Sequence, residues 1–144
     1  MITNQRQYLN TRAEAERFRQ ALAAPAAKGL HPKAAKAMRD GLKSQLDDLD
    51  AEIAEYDALR EGRATTLEAH SILEIGPMLI KARILRNLTQ KQLAERLSLA
   101  EQQVQRYEAS HYSGVAAERL QEVADALNLT VREVFTLEKS KVSS

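Results

Sequence analysis

Cysteine and tryptophan are absent from this chain of 144 residues, aromatic residues make up only 4%, and there are five glycines and three prolines. Without cysteine there is no disulfide framework and no thiolate site, which suits a reducing cytoplasm. So few aromatics and glycines disfavour a β-sandwich and point to helices around a modest core. No apolar run is long enough to cross a bilayer, and the polar start lacks the apolar centre of a signal peptide, so a cytoplasmic protein is expected. A dominant charge sign is also lacking: Lys and Arg total 21 against 20 Asp and Glu, so gross charge names no partner. His31, His70 and His111 stand far apart without ligand spacing, and neither a glycine-rich phosphate loop nor a strand–serine–helix elbow occurs. The expectation is therefore no enzyme, no metal and no cofactor.

What the chain does have is an uneven distribution of charge. Between Asp40 and Asp57 stand seven acids (Asp40, Asp47, Asp48, Asp50, Glu52, Glu55, Asp57) and one base, Lys43. Between Pro77 and Tyr112 stand six bases (Lys81, Arg83, Arg86, Lys91, Arg96, Arg106) and three acids (Glu95, Glu101, Glu108). Phosphates would repel the first stretch and attract the second.

Residues 1 to 10 are polar and expected to be loosely held. Thr11 and Glu14 match a capping box, Ala15, Phe18 and Leu22 share one helical face, and Pro25 stops the run. Residues 25 to 31 read as a loop. From Pro32 to about Glu61 nothing breaks a helix except Gly41, and its length would be about 45 Å. Leu42, Leu46, Leu49, Ile53 and Tyr56 recur at alternating spacings of four and three, a seam of about two heptads that requires a partner. Folded back antiparallel, the first helix would set Leu22 near Met38, Phe18 near Leu42 and Ala15 near Leu46. Ile53, Tyr56 and Leu59 then lack cover. A second copy of the chain is the simplest cover, so a homodimer through this seam is expected; the alternative is that Tyr8, Leu9 or the 64–75 segment folds over them. Gly62 ends the long helix. Residues 64 to 75 form either a short helix from Thr65, with Glu68 at capping-box spacing, or an extended linker.

The next stretch is dense in helical signals. Gly76-Pro77 is a helix start, and Leu79, Ile80, Ile84 and Leu88 give its helix a buried face. Thr89 caps a second helix, in which Leu93, Ala94 and Leu97 share a face. Glu101 opens a third, in which Val104 and Tyr107 point inward. Only Ser98 to Ala100 separate these two helices, and Ala94 is small where a steep crossing brings them together. A polar loop follows from Ser110 to Val115. A fourth helix runs from Val115 to Leu127 with Leu120, Val123, Ala124 and Leu127 inward, and Asn128 is a left-handed stop. Thr130 and Glu133 suggest a last short helix that buries Val134 and Phe135.

Two short helices over a tight turn make the helix-turn-helix pattern. With Val104 and Tyr107 inward, Glu101, Gln102, Gln105 and Arg106 face out, where Gln can bridge adenine N6 and N7 and Arg can bridge guanine O6 and N7. Gln90 begins the second helix, where backbone amides point at a phosphate. Lys91, Arg86 and Arg96 are candidates to neutralise phosphates, with Arg86 foremost by position. Gln103 flanks the reading face and could reach either a base or the backbone, and Tyr112, in the loop that follows, is a further candidate contact to the backbone.

From about Met78 to Phe135 the chain resembles the XRE family of Cro/cI-type DNA-binding regulators. The resemblance implies that Gln90 contacts the DNA backbone and braces the recognition helix, and that Glu101, Gln102 and Arg106 read bases. It also implies a structural pair between Arg83 and Glu108. The turn residue, usually Gly in that family, is Ser98 here. Glu101 places an acid at the mouth of the groove. The loop after the recognition helix offers His111, Tyr112 and Ser113 where relatives carry bases, which implies modest non-specific affinity.

These readings combine into an all-α chain: a helical hairpin or coiled coil over 1–62 for dimerisation or partner binding, a linker over 63–76, a five-helix lambda-repressor-like domain over 77–137 and a flexible tail over 138–144. Its partner would be double-stranded DNA. One reading is a dimeric repressor on a palindromic operator. The other resembles HigA-type antitoxins, with the acidic N-terminal region binding a toxin while the helix-turn-helix autoregulates the operon. A third is a scaffold that never touches DNA.

Overall fold

The computed structural model describes residues 1–25 and 28–139, and every regular element among them is helical. The expected loop over 25 to 31 and the expected tail over 138 to 144 thus lie in part outside the described residues. Helix α1 spans Gln5–Ala23 and α2 spans Pro32–Arg60. After an irregular segment and a single 3-10 turn, Ile72–Glu74, come α3 Ile75–Leu85, α4 Gln90–Leu97, α5 Glu101–Ala109 and α6 Ala117–Ala126.

Helix α1 starts six residues before the Thr11 capping box. Asn4 is its N-cap, accepting from the Gln7 amide at 2.8 Å, while the Gln7 side chain accepts from the Thr3 amide at 2.9 Å. Asn4 and Gln7 stand at the same three-residue spacing as Thr11 and Glu14, so the same kind of signal lies about two turns earlier in the chain. The expectation that residues 1 to 10 hang loose is therefore overturned: Ile2 and Thr3 are buried, and Ile2 belongs to the core.

Helix α2 begins as the sequence indicates, with His31 Nδ1 accepting from the Lys33 amide and Pro32 in the first turn. The two helices pack antiparallel, Ala15 fully buried between them and Phe18 beside Leu42. Leu22 meets Arg39, whose guanidinium donates to the Leu22 carbonyl, while Met38 is exposed.

The seam on α2 drawn through Leu42, Leu46, Leu49, Ile53 and Tyr56 is largely covered within the one chain, so a second copy is not needed to cover it. Leu46 and Tyr56 are buried; Leu42, Leu49 and Ile53 are half-buried. Helix α1 covers the first part. Over the rest, the Tyr8 ring lies 5.0 Å from that of Tyr56 and its hydroxyl donates to Asp57, and Ile2 and α3 complete the cover. Of the three alternative covers, Tyr8 serves and Leu67 of the linker packs against the same cluster, whereas Leu9 stays exposed. Residues 64–71 carry no regular structure, the 3-10 turn and the first residue of α3 complete the 64–75 segment, and no helix starts at Thr65.

One apolar core thus runs from Ile2, Tyr56 and Leu59 through Leu79, Ile80 and Ile84 to Leu93, Val104, Val123 and Leu127. Ala94, 1% exposed, lies in it where α4 crosses α5. Ser98 takes the left-handed conformation at φ 55° and ψ 41°, and Asn128 does so at φ 54°. The short helix expected from Thr130 does not form: residues 129–138 carry no helix, and Val134 and Phe135 are 82% and 79% exposed. The segment is too short to repay helix nucleation, and Val131, Val134, Phe135 and Thr136 are weak helix formers. The expected five helices reduce to four.

Candidate nucleic-acid interface

Helix α5 is held from behind and bare in front. Val104 and Glu108 are buried; Gln102 and Arg106 are exposed on the opposite side, and Glu101 and Gln105 are exposed nearer the edge of the buried face. Glu101 sits in the first turn, where its charge favours the helix N-terminus, and accepts from Gln105 at the limiting distance of 3.5 Å. Gln103 is half-buried on the flank.

The rear hold is ionic. Arg83 of α3 forks onto Glu108, Nε to Oε2 at 2.7 Å and Nη2 to Oε1 at 2.8 Å, with both side chains almost wholly buried. The same guanidinium donates to the Leu88 carbonyl at 2.8 Å and to the Thr3 carbonyl. Gln90 of α4 adds a third donor to Glu108, Nε2 to Oε1 at 3.0 Å. A buried pair with this many partners leaves no charge uncompensated. Arg83 and Glu108 thus lie together as the family resemblance implies.

Three residues expected to touch phosphate are engaged elsewhere. The Gln90 side chain is 7% exposed and tied to Glu108, so its geometry is that of a brace rather than a phosphate contact. Arg86 donates to the carbonyls of Leu127 and Asn128, each at 3.0 Å, and so caps the end of α6. Arg96 does likewise, to the Ala126 carbonyl at 2.8 Å. Cations at a helix C-terminus satisfy orphan carbonyls and the negative end of the dipole. Tyr112 is buried, with its ring stacked 5.6 Å from that of Tyr107 and its hydroxyl without a hydrogen-bond partner. Burial, and then the nearby Glu108 carboxylate, push its pKa above the usual tyrosine value. Of the expected backbone contacts, Lys91 is exposed on the first turn of α4 and Gln103 is half-buried, and neither side chain is engaged in a hydrogen bond or ion pair among the described residues.

The cap of α4 follows the sequence: Thr89 accepts from the Gln92 amide at 3.0 Å and Gln92 accepts from the Thr89 amide at 2.9 Å. What sequence reasoning missed is the flank. Residues Met1 to Gln7 lie alongside α5, and a polar cleft of about 350 Å³ separates them from Gln105, Ala109 and His111. Only the apolar Ile2 ahead of the Asn4–Gln7 spacing hints at this, and the cluster it joins begins more than fifty residues away.

No helix among the described residues is long and apolar enough to cross a membrane. Residues 79–134 match a family model described as helix-turn-helix. No curated protein and no solved structure matches the chain.

Proposed function

We propose that this chain, whose residues 79–134 are an XRE-type helix-turn-helix domain and which is on that account a DNA-binding transcription regulator, is a dimeric repressor of a palindromic operator. The observation that carries the proposal is the face of α5: Gln102 and Arg106 stand clear of the protein, with Gln105 exposed beside them at the mouth of the cleft, on a helix braced from behind at Glu108. Donors of these types on a stiff rod are what base edges in a major groove require.

The dimer is argued from charge. With Arg86 and Arg96 capping α6, the exposed cations of α4 and α5 that remain are Lys91 and Arg106. So few phosphate contacts give weak electrostatic binding for one copy, and two copies on a two-fold site double them.

The antitoxin reading has less support. Six of the seven acids between Asp40 and Asp57 already have partners: Lys36, Lys43, Arg19, the Met1 ammonium, Lys81 and the Tyr8 hydroxyl. A basic mate would have to compete with these contacts everywhere except at Asp48.

The test is selection of binding duplexes from a random pool, followed by titration of the winner. An enriched sequence with two-fold symmetry supports the proposal, and Arg106→Ala should then relax preference at one base pair by about 1–3 kcal/mol. Failure to enrich any sequence refutes sequence-specific binding. A monomer by light scattering at micromolar concentration, with and without the duplex, refutes the dimer.

A further inference from the structure

We propose that the first four residues are a positioning element for base reading, setting the rotation of α5 from behind. The proposal rests on the reading of α5 as the recognition helix. Glu108 is the point by which α5 is gripped, and its grip is Arg83. Arg83 is itself held by the Thr3 carbonyl, a contact across eighty residues of chain. The carbonyl is fixed in turn, because Thr3 donates through its amide and hydroxyl to Gln7 Oε1, each at 2.9 Å, and Ile2 is seated in the core. Asn4 Nδ2 approaches Gln90 Oε1 at 3.5 Å, steering the amide whose nitrogen donates to Glu108.

The consequence is geometric. If α5 turned by about 10°, a side-chain head at the 5–6 Å helix radius would move by roughly 1 Å. Bidentate contacts tolerate displacements of only about 0.5 Å. Removing the Thr3 carbonyl would leave a buried guanidinium nitrogen one acceptor short, and the Arg83–Glu108 fork would shift to find one. The N-terminal segment would then govern selectivity without touching a base.

The experiment compares the full chain with Ile2→Ala, which unseats the segment, and Asn4→Ser, which keeps an N-cap oxygen but cannot reach Gln90. Leu46→Ala serves as a control destabilised within the hairpin. Each is titrated with the selected duplex and with a scrambled duplex of equal length, at a temperature where circular dichroism shows full helix content. The readout is the ratio of the two affinities, which a general loss of stability does not move. We expect the ratio to fall roughly five- to tenfold in Ile2→Ala or Asn4→Ser, the lower end of the discrimination that one bidentate base contact supplies, and to be unchanged in Leu46→Ala. An unchanged ratio in both segment variants overturns the proposal, as does an equal fall in the Leu46→Ala control. A wild-type protein that does not distinguish the two duplexes overturns the regulator reading itself, and this proposal with it.

Discussion

Gly76 shows how much one missing methyl group decides. A Cβ built there would lie 1.8 Å from the His111 carbonyl oxygen, so the start of α3 and the loop after α5 touch backbone to backbone. The loop meets this with His111 and Tyr112 in consecutive left-handed conformations at φ 52° and 59°. Gly76→Ala should lose about 3 kcal/mol or more in urea unfolding, because the obstacle is main chain and cannot rotate away. Arg83→Met should lose about 3–5 kcal/mol, since it strands a buried carboxylate, and adding Glu108→Leu should recover much of that loss. Tyr112 behaves in the opposite sense. Its buried hydroxyl bonds to nothing, so Tyr112→Phe should stabilise the fold by about 1 kcal/mol. Its raised pKa also carries a sign. Above about pH 10 the unfolded chain releases this proton while the folded chain retains it, so stability falls as pH rises. Tyr8, raised by its bond to Asp57, adds to that fall, and Tyr112→Phe should remove only its own part, as measured by urea midpoints from pH 8 to 11.

Among the elements, α2 and α6 make the clearest statements. Gly41 lies exposed in the middle of α2 with open space where a Cβ would go, so Gly41→Ala should gain about 1 kcal/mol of stability from helix propensity alone. At the end of α6, Arg86 separates a structural role from a role on DNA. Arg86→Ala should lower the unfolding midpoint and leave the salt dependence of DNA binding alone, whereas Lys91→Ala should reduce the slope of log K against log salt by about 1 for each phosphate that the lysine neutralises. Helices α3 to α6, the Thr89 cap, the left-handed Ser98 and Asn128 and the Arg83–Glu108 pair are legible in the sequence because each is set by neighbours within a few turns or by a family pattern. The brace that Gln90 gives α5 is implied by the same family pattern, but the places of Arg86 and Tyr112 are not legible, because a polar side chain in sequence carries no mark of what folds in front of it. The helix expected after Asn128 fails because a capping pair signals where a helix starts, not whether enough residues follow to sustain it.

For the whole molecule the decisive feature is that hairpin and DNA-binding domain share one core. The sequence suggests separate segments joined by a linker, because the seam on α2 looks to a second copy for its cover and the 64–75 stretch can be read as a tether. In the structure Ile2, Tyr56 and Leu59 cluster with Leu79, Ile80 and Ile84, and Lys81 of α3 pairs with Glu55 of α2 at 2.9 Å. The hairpin therefore covers the back of the domain that carries the recognition helix. A unit of this kind cannot melt in halves without exposing that shared apolar surface. Calorimetry should show a single transition whose measured enthalpy equals its van't Hoff enthalpy. Ile53→Ala on α2 should lower its midpoint as a whole, rather than shift one of two peaks. Two resolved transitions, with the second untouched by Ile53→Ala, would show that the shared core is too weak to couple the parts. The recognition helix would then have to be braced by its own domain alone.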